Sequence, residues 1–194
     1  MGDELFQAFL RHDRPAVCRA PDGRWCDDPP LALLPGSFNP LHEGHLQLAS
    51  VAANMLGVSV AFELSLANVD KPELDTAEAL RRLEAFRGVA AVWLTRAATF
   101  EHKARLFPGC AFVIGYDTAV RLVDAKYCGG DVSERDAILA RFRAAGHRFV
   151  VGGRRVDGAF RIWNQPREDW RDLFLPLGEE AFRVDRSSTE LRTR

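Results

Sequence analysis

Two histidines, His42 and His45, stand three residues apart in the stretch Pro35-Gly36-Ser37-Phe38-Asn39-Pro40-Leu41-His42-Glu43-Gly44-His45. An apolar run, Leu31-Ala32-Leu33-Leu34, leads into it, and an amphipathic run from Leu46 to Leu56 leads out. That is the pattern of a short buried strand, a tight turn and a helix. It puts both imidazoles on one face of the helix's first turn. The free backbone N–H groups and the positive dipole end lie at the same place, so the chemistry on offer is the binding of phosphate. Gly36 sits where the chain leaves the strand, and glycine lets backbone approach a ligand closely. Zinc chemistry of the HExxH kind needs histidines four apart and is not encoded.

A second set of such groups lies at the far end of the chain, in Arg186-Ser187-Ser188-Thr189-Glu190-Leu191-Arg192. Ser187 followed by Glu190 is a capping box, which predicts a helix start. The hydroxyls and N–H groups there suit phosphate oxygens, and Arg192 lies about one turn on from Ser188. Taken alone, the stretch reads first as an ordinary capped terminal helix.

The elements that must position these groups follow from periodicity. Val58–Leu66, Val89–Thr95, Cys110–Ile114 and His147–Val151 are apolar or β-branched runs and predict strands. Gly152-Gly153 turns the chain out of the last of these, Gly158 marks a loop or hairpin ahead of Phe160–Trp163, and a final short strand is expected at Phe182–Val184. Between them, Leu74–Phe86, Thr99–Phe107, Thr118–Asp124 and Ser133–Ala145 predict helices, with Asp75 or Thr76 as a cap and Gly146 as a stop. Alternation of this kind predicts an α/β fold, a Rossmann-like doubly wound, mainly parallel sheet of about five to six strands with helices on both faces. Ligands in such sheets bind beyond the carboxyl ends of the strands. His42, Lys71, Arg96, Asp117 and Arg154 all follow predicted strands. Residues 1–30 are expected to form an N-terminal arm, with a short helix around Leu5, Phe6, Phe9 and Leu10 and then loop from Asp13 to Pro30, where Pro, Asp and Gly collect. Residues 31–194 form the main domain.

Whole-chain properties narrow the partners. The 194 residues are 47% apolar and carry a net charge of −1, so no overall field favours nucleic acid or an anionic membrane. No apolar run approaches the roughly 18 residues of a membrane span, and the first ten residues carry Asp3 and Glu4 with no basic leader. The four cysteines, Cys18, Cys26, Cys110 and Cys128, form no CxxC pair. Reduced thiols in a cytoplasmic protein are the expected state. A set of Cys18, Cys26 and His12 fits no standard zinc spacing.

GSFNPLHEGH after a strand, with SSTELR at the far end, resembles the paired signatures of the HxGH/SSTxxR nucleotidyltransferase superfamily. Gly36, Asn39-Pro40, His42, Gly44 and His45 match every usual position of the first signature. Leu191 replaces the usual isoleucine of the second. The resemblance implies transfer of a nucleotidyl group from a nucleoside triphosphate to a phosphorylated acceptor, with release of pyrophosphate. Catalysis would then be positioning and charge stabilisation without a covalent intermediate. It implies that His42 and His45 are catalytic and that Gly36, Ser37, Phe38, Asn39 and Gly44 line the nucleotide. Ser187, Ser188, Thr189 and Arg192 would hold the β- and γ-phosphates. Gly115-Tyr116-Asp117 resembles the family's GxD element, and Arg154 and Arg155, which follow the fifth predicted strand, would face the triphosphate. Mg²⁺ would be carried by the nucleotide phosphates and water.

The overall layout is closest to that of the nicotinamide and nicotinate mononucleotide adenylyltransferases, which implies ATP as donor and a pyridine mononucleotide as acceptor. Asn68, Lys71, Trp93 and Arg96 are the acceptor-side residues on this reading. Lys71 would supply a cation for the acceptor phosphate, and Trp93 a surface for a flat base. Each also has a plainer role open to it, Lys71 as a loop lysine and Trp93 as core. CTP as donor, phosphopantetheine or another phosphometabolite as acceptor, and a nucleotide-binding module without turnover stay open, as does homo-oligomerisation. Pro35 stands where a small residue usually precedes the glycine, and residues 125–180 match the family poorly.

Overall fold

The structure, a computed structural model, describes residues 2–67, 72–156, 159–164 and 167–182. Ten strands and six α-helices run in the order α1 (Gly2–Leu10), β1 (Ala16–Arg19), β2 (Trp25–Cys26), β3 (Ala32–Pro35), α2 (Glu43–Leu56), β4 (Val60–Ser65), α3 (Thr76–Glu84), β5 (Val92–Thr95), α4 (Phe100–Leu106), β6 (Ala111–Gly115), α5 (Tyr116–Val123), α6 (Val132–Ala144), β7 (Arg148–Gly152), β8 (Arg154–Val156), β9 (Ala159–Arg161) and β10 (Phe174–Pro176) among the described residues. Eight strands form one sheet in the order β10-β7-β6-β3-β4-β5-β1-β2, and β8 and β9 form a separate ribbon. From β10 to β5 all neighbours are parallel. β1 runs antiparallel to β5, and β2 antiparallel to β1.

Alternation along the central strands explains the layering. Leu34, Leu64, Val113 and Val150 face a cluster with Phe9 of α1, Leu48, Ala49 and Ala52 of α2, and Ala79 and Leu83 of α3. Leu33, Phe112, Ile114, Phe149 and Val151 face the other side, against Phe107, Ala119 of α5, and Leu139 and Phe142 of α6. Strands buried on both faces carry near-continuous apolar runs, as parallel sheets require. Helix boundaries follow local chemistry. Asp75 Oδ2 accepts from the backbone N–H groups of Ala77 and Glu78 at the start of α3, and Thr99 Oγ1 from His102 N–H at the start of α4. Gly57 closes α2 in the left-handed region, φ 69°.

The expected doubly wound, mainly parallel sheet is present but broader than five to six strands. The additional strands come from segments rich in turn residues. Ala16–Arg19 lies between Pro15 and Pro21, and those flanking turn signals mask a four-residue strand that pairs with β5 from Ala16↔Thr95 to Arg19↔Val92. Asp13–Pro30 is therefore not simply loop. Phe174–Pro176 pairs with β7 from within a stretch of no clear period, and Ala159–Arg161 pairs antiparallel with Arg154–Val156, as the hairpin reading of that segment allows. Phe182, the described part of the expected last strand, lies beyond a turn at Gly178–Ala181. No helix among the described residues is long and apolar enough to cross a membrane.

Connectivity now locates the crevice. From β3 the chain steps to β4 and β5 on one side, then crosses to β6 and β7 on the other. The strand order reverses between β3 and β6, and an open α/β sheet offers a ligand cleft beyond the carboxyl ends of the strands at such a point.

Candidate active site

β3 delivers the chain to that reversal at Pro35. Gly36 N–H donates to Glu63 O of β4 at 2.9 Å, which ties the loop's root to the sheet. Phe38 then turns inward. Its backbone adopts φ 43°, a left-handed conformation that costs a non-glycine residue of order 1 kcal/mol. Burial offsets that cost: Phe38 is 2% exposed and meets Phe62, Phe86 and His45 edge-on at centroid distances of 5.3, 5.2 and 5.1 Å. Gly36 is required by the same ring, because a Cβ there would lie 2.6 Å from Phe38 Cζ. The expectation that the Phe38 side chain lines the nucleotide is corrected accordingly: it forms the buried keel of the loop, and half-buried Gly36 packs against it. From the other side Arg82 of α3, held by Glu78 at 2.8 Å, donates to Ser37 O at 2.9 Å. Ser37 is left exposed and Asn39 half-buried at the tip.

The histidines interlock at the start of α2. His42 is the N-cap, with extended backbone. Its N–H donates to His45 Nδ1 at 3.3 Å, while His45 N–H donates to His42 O at 2.9 Å. The two rings stack with centroids 3.8 Å apart and planes at 24°. Burial pushes the His42 imidazole below its ordinary value; burial, and then the neighbouring His42, push His45 down to about 4. Both rings are therefore neutral at pH 7. Because Nδ1 of His45 accepts a backbone proton, its own proton resides on Nε2 and is available to donate. The His45 Nε2–H, beside a helix N-terminus, can donate to an anion. Gly44 lies half-buried in the same first turn, and Glu43 is exposed.

At the other side of the reversal, Gly115 ends β6 in register with Gly152 of β7. Asp117, in the first turn of α5, forms an ion pair with Arg154 of β8. The structure thus brings Gly115, Asp117 and Arg154 together at neighbouring strand ends. Leu48 of α2 and Phe182 flank Gly152: a Cβ there would meet Leu48 Cδ1 at 2.7 Å and Phe182 Cε1 at 3.1 Å. Ser187, Ser188, Thr189 and Arg192 lie outside the described residues, as do Asn68 and Lys71. Phe182, 5% exposed, is where the described chain ends, beside α2 and the carboxyl end of β7.

Trp93 and Arg96 do not take the acceptor-side places expected of them. Trp93 is 4% exposed and packs edge-on against Phe107 at 4.9 Å, so its ring has no free face for a ligand. Arg96 folds back onto α1. It donates to Phe9 O at 2.9 Å, lies over the Phe9 ring at 4.4 Å and faces Glu73 at 3.4 Å. Its task is to dock the N-terminal helix.

A buried polar network escapes pattern reading. Glu63, 1% exposed in β4, accepts from Thr95 Oγ1 at 2.5 Å and from Lys103 Nζ at 2.8 Å. Lys103 also donates to Ala97 O at 2.6 Å, and Thr95 Oγ1 accepts from Ala97 N–H at 3.1 Å. These bonds fasten α4 to the carboxyl ends of β4 and β5 and hold the turn after β5. The available signal is Glu63 itself, a carboxylate in an otherwise apolar buried strand, which demands a partner.

Among the described residues no three His, Cys, Asp or Glu side chains gather as a metal would require. A sequence profile described as cytidylyltransferase-like matches residues 33–194. No curated protein matches the chain.

Proposed function

Because the chain belongs to the cytidylyltransferase-like family, a group of nucleotidyltransferases, we propose that it transfers the adenylyl group of ATP to a phosphorylated acceptor, nicotinamide or nicotinate mononucleotide, releasing pyrophosphate. The observation that carries this reading is the pair of neutral, stacked histidines on a rigid loop at the point where strand order reverses. An acceptor phosphate oxygen attacks the α-phosphorus, the bond from that phosphorus to the bridging oxygen breaks, and pyrophosphate leaves. Negative charge grows on the α-phosphate oxygens and on the leaving group. His45 Nε2–H and the N–H groups of α2 donate to that charge, and the Phe38 keel keeps them in place as it develops.

Ser37, Asn39 and Gly44 border the nucleotide in this scheme. Asp117 takes the ribose hydroxyls or the acceptor, and Arg154 the triphosphate. Ser187, Ser188, Thr189 and Arg192 hold the β- and γ-phosphates, while Asn68 and Lys71 serve the acceptor. His42 and His45 are nitrogen donors and Asp117 is engaged with Arg154, so this donor set suits Mg²⁺ carried by phosphate oxygens and water rather than by a protein cage.

Incubation with Mg²⁺, ATP or CTP, and a panel of phosphorylated acceptors, read as pyrophosphate and product mass, tests the assignment. Turnover with ATP and a pyridine mononucleotide is expected. His45→Ala should abolish it with the fold retained, and unchanged activity would refute the mechanism. ATP binding without turnover on any acceptor would make the chain a binding module instead.

A further inference from the structure

The β8–β9 ribbon carries a charge arrangement that the two signatures leave unexplained. Arg154 lies directly opposite Arg161, Arg155 opposite Phe160, and Val156 opposite Ala159. Directly opposed residues share a face, so Arg154 and Arg161 lie on one side of the ribbon, a like-charge pair that works against strand pairing. The ribbon is pressed onto the strand ends. It follows Gly152, which pairs with Gly115, and a Cβ on Gly153 would lie 2.7 Å from both Arg161 O and Phe160 Cε1. Trp163, two residues beyond Arg161 and 5% exposed, sets its ring edge-on to Tyr116 at 6.1 Å. Arg154 meets Asp117 one residue on. The face bearing both arginines is therefore turned toward the first turn of α5 at the carboxyl end of β6.

Only one of the two arginines is met by a carboxylate among the described residues. Asp117 pairs with Arg154, whereas Arg161 is exposed and has no ion-pair partner among the described residues. Paired planar guanidinium forks match the oxygens of a phosphate, and an anion between them removes the repulsion that otherwise opposes the ribbon.

We infer that Arg161, together with Arg154, clamps a phosphate-bearing ligand at the carboxyl ends of β6 and β7, with Asp117 competing for Arg154. The inference rests on the proposed nucleotidyl transfer for the source of the phosphate, which is either the triphosphate donor or the mononucleotide acceptor. Titration calorimetry of the full chain with inorganic tripolyphosphate, ATP and nicotinamide mononucleotide tests it. Arg161→Gln, a change at an exposed side chain, should weaken binding by about tenfold or more, with a shallower salt dependence; Arg161→Lys should lose less. Asp117→Asn should tighten binding of tripolyphosphate, which has no ribose for Asp117 to hold, by freeing Arg154. Loss with tripolyphosphate and ATP places the clamp on the donor, and loss with the mononucleotide alone places it on the acceptor. Wild-type-like binding of all three by Arg161→Gln overturns the clamp and leaves nucleotidyl transfer standing. Failure of the wild-type protein to bind any of the three, with no turnover, overturns both.

Discussion

Replacing Gly36 with alanine separates two accounts of that residue. If Gly36 exists to let a ligand approach, the methyl group should weaken nucleotide binding and leave stability alone. The structure requires the opposite. The new Cβ would sit 2.6 Å from Cζ and 2.7 Å from Cε1 of Phe38, where carbon contacts settle at about 3.5–4.0 Å, so the ring must move by roughly 1 Å. It has little room to do so, being 2% exposed and boxed by Phe62, Phe86 and His45. Overpacking of this kind costs about 1–3 kcal/mol, and one of the rings that Phe38 would push against is His45, at the head of α2. Gly36→Ala should therefore lower the urea midpoint and the turnover number together. Phe38→Leu alone should cost about 1–2 kcal/mol for the lost ring atoms. Those are the atoms the methyl strikes, so the double variant should be less destabilised than the sum by at least about 1 kcal/mol. A wild-type midpoint for Gly36→Ala, or strict additivity in the cycle, would refute the keel.

Two further outcomes follow from buried titratable groups. His45 is held below its unfolded value, down to about 4, so the unfolded chain binds more protons between that value and the ordinary imidazole range. The contribution to stability is complete above about pH 6.5 and is lost as the pH falls toward 4. Urea midpoints at pH 7 and pH 5 should differ more for the wild type than for His45→Gln, and an equal difference would remove His45 from the acid response. Lys103→Met leaves Glu63 buried without its cation and should cost about 3–5 kcal/mol, with much of that recovered in Glu63→Gln/Lys103→Met. A loss below 1 kcal/mol by urea denaturation would show the network to be dispensable.

Local chemistry made the strand–loop–helix of residues 31–56 legible, because an apolar run, a proline-bounded turn and an amphipathic period coincide there without help from distant residues. Asp75, Thr99 and Gly146 were legible as helix ends for the same reason. β1 was not, since Ala16–Arg19 acquires strand character only by pairing with β5 across more than seventy residues. Nor was the fate of Trp93 and Arg96. Position after a strand puts a residue near the ligand end of the sheet, but which way it points depends on the pleat and on what packs above it: Phe107 for one, α1 for the other.

The sequence by itself determined that two histidines stand three apart at a helix start behind a glycine-led loop, and hence the family and the phosphate chemistry. Spacing along one short segment suffices for that. Tertiary structure decided that the glycine packs against Phe38, that the imidazoles are stacked and neutral, that Glu63 is held by Lys103, and that Arg154 pairs with Asp117 while Arg161 stands opposite it on the ribbon. Each of these depends on burial or on contacts between remote segments, and protonation and packing respond to those surroundings rather than to position in the chain.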